Sequence, residues 1–183
     1  MTWIPLTVAL AVYRVAKKSQ PALELVLKWP NDLGARDRKI GFRKVGGILC
    51  EGVGSARGVF VVAGIGVNCA IAPETDQPTA ALGIAVDPFR IAVIEELLRI
   101  FSEPMDSLRE EYARASLLVA GDTIEWRDLR EVEGSAHSAR SQVRSGTFVG
   151  YGAHGELQVN RGHGVERLYS EEIKLIPGKK PKA

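Results

Sequence analysis

The most constraining feature of this 183-residue chain is a set of three short motifs that stand at the ends of apolar runs. They are Lys28-Trp29-Pro30-Asn31-Asp32, Lys44-Val45-Gly46-Gly47-Ile48-Leu49 and Gly64-Ile65-Gly66-Val67-Asn68. The lysines bring positive charge, the asparagines bring amide donors, and the glycines let a ligand approach backbone N–H groups that a Cβ would hold away. The motifs predict a site for a small anionic ligand at the ends of neighbouring strands.

The apolar pattern of the first two thirds of the chain predicts an α/β fold with a mixed sheet and its long helices on one face. A proline after Trp29 ends the first strand, because proline cannot donate to a sheet ladder. The polar, basic stretch 33–43 is predicted to be a loop. The predicted helices cover 6–18 and 88–101, with another around Leu108 and Tyr112, and the predicted strands cover 23–28, 45–51 and 59–68.

Near residue 117 the pattern changes to short strands separated by turn residues, which predicts a small antiparallel β barrel beginning near residue 118. The predicted domains are 1–116 and 117–177, followed by a basic, disordered tail at 178–183. An apolar fraction of 45% supports a real core, whereas no apolar stretch approaches the ~20 residues that span a bilayer.

Charge and metal-ligand patterns narrow the class of ligand. Residues 1–50 hold nine Lys or Arg against three Asp or Glu, and these charges lie beside turns rather than along one helix face, which favours a small anion over nucleic acid. Cys50 and Cys69 lie in apolar surroundings without a CxxC partner, so reduced thiols in a cytoplasmic protein are expected. The three histidines lack metal-ligand spacing, so no protein-bound structural metal is expected.

In order and spacing, the three motifs resemble the core of the biotin protein ligases, which adenylate biotin with ATP and pass it to a lysine of a carrier protein. The resemblance covers about residues 6–176. It implies a class II synthetase-like catalytic core with an SH3-like C-terminal barrel, including a Ser170-Glu171-Glu172-Ile173 run. It also implies biotin and ATP as substrates, Mg²⁺ arriving with ATP, and a biotin carboxyl-carrier domain as partner.

The resemblance also assigns roles to individual residues. Lys44 of the Lys-x-x-Gly motif would bridge the biotin carboxylate and the α-phosphate, and Asp32 would meet the incoming carrier lysine. The residues expected to bind biotin or the adenylate are Lys28, Trp29, Asn31, Gly46, Gly47, Gly64, Gly66 and Asn68.

Each of these residues also has a structural interpretation. A lysine at a strand start is usually a solvated edge charge, and Pro-Asn-Asp is an ordinary turn. Trp29 can fill core, the glycines can mark a crowded sheet or a bulge, and Asn68 can cap a turn. Because eleven residues separate Asp32 from Lys44, more than the family usually has, Lys39 is an alternative motif lysine.

No run in the chain matches the family's Gly-Arg-Gly-Arg phosphate loop, which is expected upstream of the first helix together with the first biotin-contacting strand. No helix-turn-helix DNA-binding module is found either. Three functions remain open: a partial biotin ligase, which a separate N-terminal ligase segment would complete; a non-catalytic ligase-like binding module; and an enzyme related to the lipoate and octanoyl transferases.

Overall fold

The structure is a computed structural model that describes residues 3–55, 58–127, 143–169 and 173–176. The chain divides into two compact units, Trp3–Leu117 and a second unit that begins at Leu118. The run 170–172 and the tail 178–183, both named in the sequence predictions, lie outside the described residues.

Three helices belong to the first unit, and the sequence pattern predicted all three. Helix α1 spans Ile4–Ser19, with proline in its first turn and lysines in its last turn, where they complement the helix dipole. It packs against the sheet and against the other two helices, α2 (Val86–Ile100) and α3 (Met105–Ala115). Helix α2 packs mainly against α1, so α1 is the long helix that covers the sheet.

Four strands form the sheet of this unit, in the order β1-β2-β3-β4. They are β1 (Leu25–Lys28), β2 (Asp32–Asp37), β3 (Gly41–Ser55) and β4 (Gly58–Val67). All three strand pairs are antiparallel, whereas the sequence predicted a mixed sheet. Parallel pairing in the described part of this unit is limited to isolated bridges, Leu27 with Ser116 and Lys44 with Thr79.

The prediction of a loop at 33–43 was wrong. Most of this stretch forms β2 and the start of β3, joined by a tight turn at 38–40. Leu33, Gly34 and Ala35 of β2 are buried, and Gly34 projects to the face opposite the other two. The charged residues of β2 lie towards its two ends. The charges concealed the strand because they flank a buried segment of only three residues.

The second unit is a five-stranded antiparallel sheet in the order β8-β7-β6-β5-β9. Its described core includes Ile124, Trp126, Phe148, Leu157 and Leu168. Among the described residues β8 does not pair with β9, so the sheet is open where a closed barrel was predicted. The strands are β5 (Thr123–Arg127), β6 (Val143–Tyr151), β7 (Leu157–Asn160), β8 (Val165–Leu168) and β9 (Ile173–Leu175).

Both cysteines are free; Cys69 is buried and Cys50 is half-buried. Burial raises the pKa of each thiol, which disfavours the reactive thiolate. In the described ranges, none of the helices has the length and apolar character needed to cross a membrane.

Candidate functional site

Four of the residues singled out by the sequence lie in one row across the first sheet. Lys28 on β1 pairs with Asp32 on β2, Asp32 pairs with Gly47 on β3, and Gly47 pairs with Gly66 on β4. Directly opposite residues of antiparallel strands project to the same face of the sheet. Gly64, two residues before Gly66, shares that face. The row places a cation, a carboxylate and a stretch of bare backbone side by side.

A β-bulge brings Lys44 onto this face. Leu33 pairs with Gly46 and Gly34 with Lys44, so Val45 is the extra residue on β3. An unbroken strand would project Lys44 and Gly47 to opposite faces, because they are three residues apart, and the extra residue reverses that parity. The Lys44 ammonium Nζ consequently lies 2.6 Å from Asp32 Oδ1.

The Lys44–Asp32 contact is a close ion pair beside a glycine. Asp32 is 15% exposed and Lys44 is 37% exposed. Within the described part of the chain, Asp32 Oδ1 is buried and accepts no hydrogen bond, so the ammonium contacts it without hydrogen-bond geometry. A Cβ on Gly47 would lie 3.3 Å from Lys44 Nζ and 3.5 Å from Asp32 Oδ1. Glycine at this position leaves the space above the ion pair open.

The two faces of β3 differ sharply in exposure. On the core face, Val45 and Ile48 are buried beneath the helical layer, as is Leu33 of β2. On the site face, Leu49 is 61% exposed. A Cβ built on Gly64 or Gly66 would meet no atom closer than 3.7 Å, so the backbone here forms an open floor. The site face of β3 is therefore open beside an exposed apolar side chain.

Lys28 is held at the end of the row by an aromatic ring that sequence reasoning missed. Its Nζ lies 5.6 Å from the centroid of the Phe42 ring, within cation–π distance. The Phe42 ring in turn lies over Gly34, where a Cβ would overlap it. Phe42 fell in the segment predicted as a loop, so nothing indicated that it faces the site.

Asn68 holds a loop rather than facing open solvent. Its Nδ2 donates to the carbonyl of Ala80 at 3.1 Å, and its backbone N–H donates to Val45 O. The Ala80 N–H donates to Lys44 O, and the Lys44 N–H donates to Pro78 O, both at 2.9 Å. The segment 78–80 thus brackets the backbone of Lys44, which fits the capping interpretation of Asn68.

Trp29 and Asn31 lie in the turn between β1 and β2. The Trp29 side chain is 1% exposed and fills core, in agreement with its structural interpretation. The Asn31 carbonyl accepts the Ile48 N–H at 2.8 Å, which ties the turn to β3. The motif therefore positions Asp32 through its backbone and its buried indole.

Lys39 lies in the tight turn at the far end of the β2–β3 hairpin. Asp37, the last residue of β2, lies five residues from Asp32 and pairs with Gly41. Lys39 lies beyond this pair, in the turn. At about 3.4 Å per residue this separates it from the ion pair by about 17 Å. The geometry places Lys44, not Lys39, beside Asp32. The described residues contain no group of three or more His, Cys, Asp or Glu side chains arranged to hold a metal ion.

Comparisons with known proteins find similarity in the part of the chain that carries the site. Residues 2–68, which contain all three motifs, match the Biotin/lipoate A/B protein ligase family. The biotin–[acetyl-CoA-carboxylase] ligase of Mycobacterium tuberculosis is 38% identical over 103 residues, and that of Paracoccus denitrificans is 42% identical over 92 residues. The region that carries the three motifs is similar to these ligases. These alignments cover 53% and 44% of this chain but only 35% and 36% of the two ligases, so the match spans about a third of each relative's length.

Solved structures of biotin protein ligases share the fold. The ligase from Aquifex aeolicus superposes with a TM-score of 0.69 at 19% identity, covering 96% of this chain and 76% of that one. The same ligase in complex with biotin and ATP gives a TM-score of 0.68 at 16% identity, covering 96% and 72%. A biotin protein ligase-like protein of unknown function from Silicibacter gives 0.59 at 12% identity, covering 90% and 69%. The α/β arrangement with antiparallel sheets therefore matches the fold of these ligase structures.

Proposed function

We propose that this chain carries the part of an ATP-dependent biotin protein ligase that activates the biotin carboxylate and transfers the biotinyl group to a carrier lysine. The observation that carries the proposal is the contact between Lys44 and Asp32 at the edge of the glycine floor. It brings together the cation that such activation needs and a carboxylate suited to an amine nucleophile.

In the first step, a carboxylate oxygen of biotin attacks the α-phosphorus of ATP. A new O–P bond forms, the bridging bond to the β-phosphate breaks, and pyrophosphate leaves with the electron pair. Two anions are driven together, so fixed cations are needed where negative charge gathers on the phosphoryl oxygens. Lys44 would bridge the two reacting anions, and Lys28, on the same face, would add a second positive charge. The floor of Gly47, Gly64 and Gly66 would hold the ring system of biotin.

In the second step, the carrier lysine attacks the carbonyl carbon of the biotinyl-adenylate. The C–N bond forms, the C–O bond breaks, and AMP leaves with the electron pair. A lysine that arrives as an ammonium must first lose one proton, which Asp32 would accept; the second proton leaves to solvent as the amide forms. Mg²⁺ would enter with ATP, bound by phosphate oxygens and water.

We also propose that turnover requires a further ligase segment, on the same polypeptide or on a separate one. Two observations support this: the curated ligases are much longer than the region matched here, and the described site presents no arginine-rich phosphate loop. The finer assignments, a class II synthetase-like core and an SH3-like second domain at 117–177, are part of the same proposal. The five antiparallel strands of the second unit support the latter.

The test compares Lys44→Ala with the matched variant Lys39→Ala. Calorimetry would measure the affinity of each protein for a non-hydrolysable biotinyl-adenylate analogue and for biotin alone. We expect Lys44→Ala to weaken binding of the analogue by about 2–4 kcal/mol, the range for removing one partner of a buried charge contact. Lys39→Ala should leave the affinity for the analogue unchanged. Equal affinities of wild type and Lys44→Ala would remove Lys44 from the site.

The two alternative functions predict different results in the same assay. A lipoate- or octanoyl-transferring enzyme would prefer the corresponding lipoyl-adenylate analogue. A non-catalytic module would bind biotin yet label no carrier lysine when the remaining ligase segment is supplied. The isolated chain should release pyrophosphate from ATP and biotin far more slowly than the reconstituted ligase, because each missing donor is worth about 10²–10³ in rate.

A further inference from the structure

The carboxylate proposed to receive the carrier lysine already contacts a cation of its own chain, Lys44. Lys44 Nζ lies 2.6 Å from Asp32 Oδ1, an oxygen that no hydrogen-bond donor of the described residues satisfies. An amine nucleophile approaching Asp32 would meet a positive charge at that oxygen. The same lysine is the group proposed to bind the adenylate phosphate, so one ammonium serves two anions in turn.

We propose that the adenylate takes Lys44 from Asp32, and that this exchange creates the binding site for the carrier lysine. The inference rests on the proposed function and deepens it by assigning the order of the two half-reactions to one ion pair. Before activation, Lys44 blocks Asp32. Once the phosphate has captured Lys44, Asp32 is left largely buried without its Lys44 counter-ion, which is unfavourable until the carrier's ammonium replaces it.

Local geometry makes Lys44 the partner that moves. Asp32 lies in the middle strand of three, paired on one side with Lys28 and on the other with Gly47. Lys44 has a flexible four-carbon stem and is 37% exposed, and its contact with Asp32 lacks hydrogen-bond geometry. The missing side chain of Gly47 leaves room for its ammonium to swing across the floor.

The exchange is an energetic coupling between two ligands, so it is reciprocal and measurable. The adenylate should strengthen carrier binding by the same factor by which the carrier strengthens adenylate binding. Couplings of this kind are typically about 5–150-fold. A static structural pair between Lys44 and Asp32 would give no coupling.

The experiment measures the affinity of the chain for an unmodified biotin carboxyl-carrier domain, with and without the non-hydrolysable biotinyl-adenylate analogue. The same domain with its target lysine replaced by methionine is the control for the ammonium. We expect the analogue to tighten binding of the lysine domain by about tenfold and to leave the methionine domain unchanged. No difference between the two domains would overturn the proposal.

Two variants assign the effect to the ion pair. Asp32→Asn should abolish the coupling, whereas Asp37→Asn, a change on the same strand that breaks an ion pair with Arg43, should leave it intact. Lys44→Met should let the lysine domain bind without the analogue, because Asp32 is no longer blocked. Coupling that survives Asp32→Asn, or a Lys44→Met protein that gains no carrier affinity, would contradict the exchange.

The outcomes separate the inference from the proposed function. If the analogue does not bind the wild-type chain, both fail together. If the analogue binds in a manner that depends on Lys44, but does not change the affinity for the carrier domain, the ligase function stands and the exchange alone is rejected.

Discussion

Asn68 and Ala80 are joined by a hydrogen bond of 3.1 Å between a side-chain amide and a backbone carbonyl, twelve residues apart. The next hydrogen bond runs from the Ala80 N–H to the carbonyl of Lys44. The side chain at the end of β4 therefore acts on the backbone of the lysine on β3 through an intervening loop. Asn68 therefore helps to fix the backbone of Lys44.

Replacing Asn68 with alanine should affect both the fold and the site. The Ala80 carbonyl loses its side-chain donor, which should lower the free energy of unfolding by about 1–3 kcal/mol. The segment bracketing Lys44 would loosen, so affinity for the adenylate analogue should fall as well. Urea denaturation and calorimetry would measure the two effects. Thr75→Ala, which removes an exposed hydrogen bond to Gln77 in the same loop, should change neither; equal effects of the two variants would refute this role of Asn68.

Much of this site was visible in the sequence because its residue types are dictated by local rules. Glycines at 64 and 66 on alternate positions of a strand share a face, and this follows from the period of two alone. The helices were likewise found from apolar spacing, with α1 extending two residues beyond the predicted start and one beyond the predicted end. These features depend on neighbours in sequence, which a single chain records directly.

Other features depend on register, which the sequence leaves open. The bulge at Val45 decides whether Lys44 faces Asp32 or the core, yet no residue type marks it. The packing of Phe42 over Gly34 and beside Lys28 joins three strands and was equally hidden. Among the described residues the second sheet is open where a closed barrel was predicted, because strand patterns indicate pairing but not closure.

Gly66→Ala should separate ligand binding from stability. A Cβ at this position would meet no atom nearer than 4.0 Å, so the free energy of unfolding should change by less than about 0.5 kcal/mol. The added carbon would hold a flat ligand away from the backbone floor, at a cost of about 1–3 kcal/mol in analogue affinity. Thermal unfolding and calorimetry would measure both. Gly54→Ala, with nothing within 4 Å, is the matched control on the same hairpin and should bind normally.

Gly34→Ala should be destabilising for a reason visible only in three dimensions. Its Cβ would overlap the Phe42 ring and come within 2.5 Å of the Arg43 carbonyl, so either the ring or the strand must shift. We expect a loss of about 1–3 kcal/mol in the free energy of unfolding, the usual cost of overpacking. Gly52→Ala on β3, whose nearest contact would be 3.8 Å, should be nearly neutral. Similar midpoints of urea denaturation for the two variants would disprove the packing argument.

The helical layer should confer acid sensitivity through a cluster around Arg14. Its guanidinium bonds Glu96 on α2, Glu103 in the turn after α2, and Glu111 on α3. The hydrogen bond from Arg14 holds the pKa of Glu103 below its usual range. Burial alone would raise the pKa of Glu96, but hydrogen bonds from Arg99 and Arg14 outweigh it and lower that pKa too.

Because both pKa values are lower in the folded state, their stabilisation is complete above the unfolded pKa of about 4.3 and is lost as the pH falls below it. Glu103→Gln should cost about 1.5–3 kcal/mol at pH 7, the range for a hydrogen bond to a charged group. The difference in the free energy of unfolding between wild type and Glu103→Gln should shrink towards pH 3. Glu110→Gln, which alters an exposed pair with Arg114, should follow the wild-type curve. Urea denaturation across pH 3–7 would measure both, and a Glu103→Gln deficit that stays constant with pH would exclude this cluster as the acid-sensitive element.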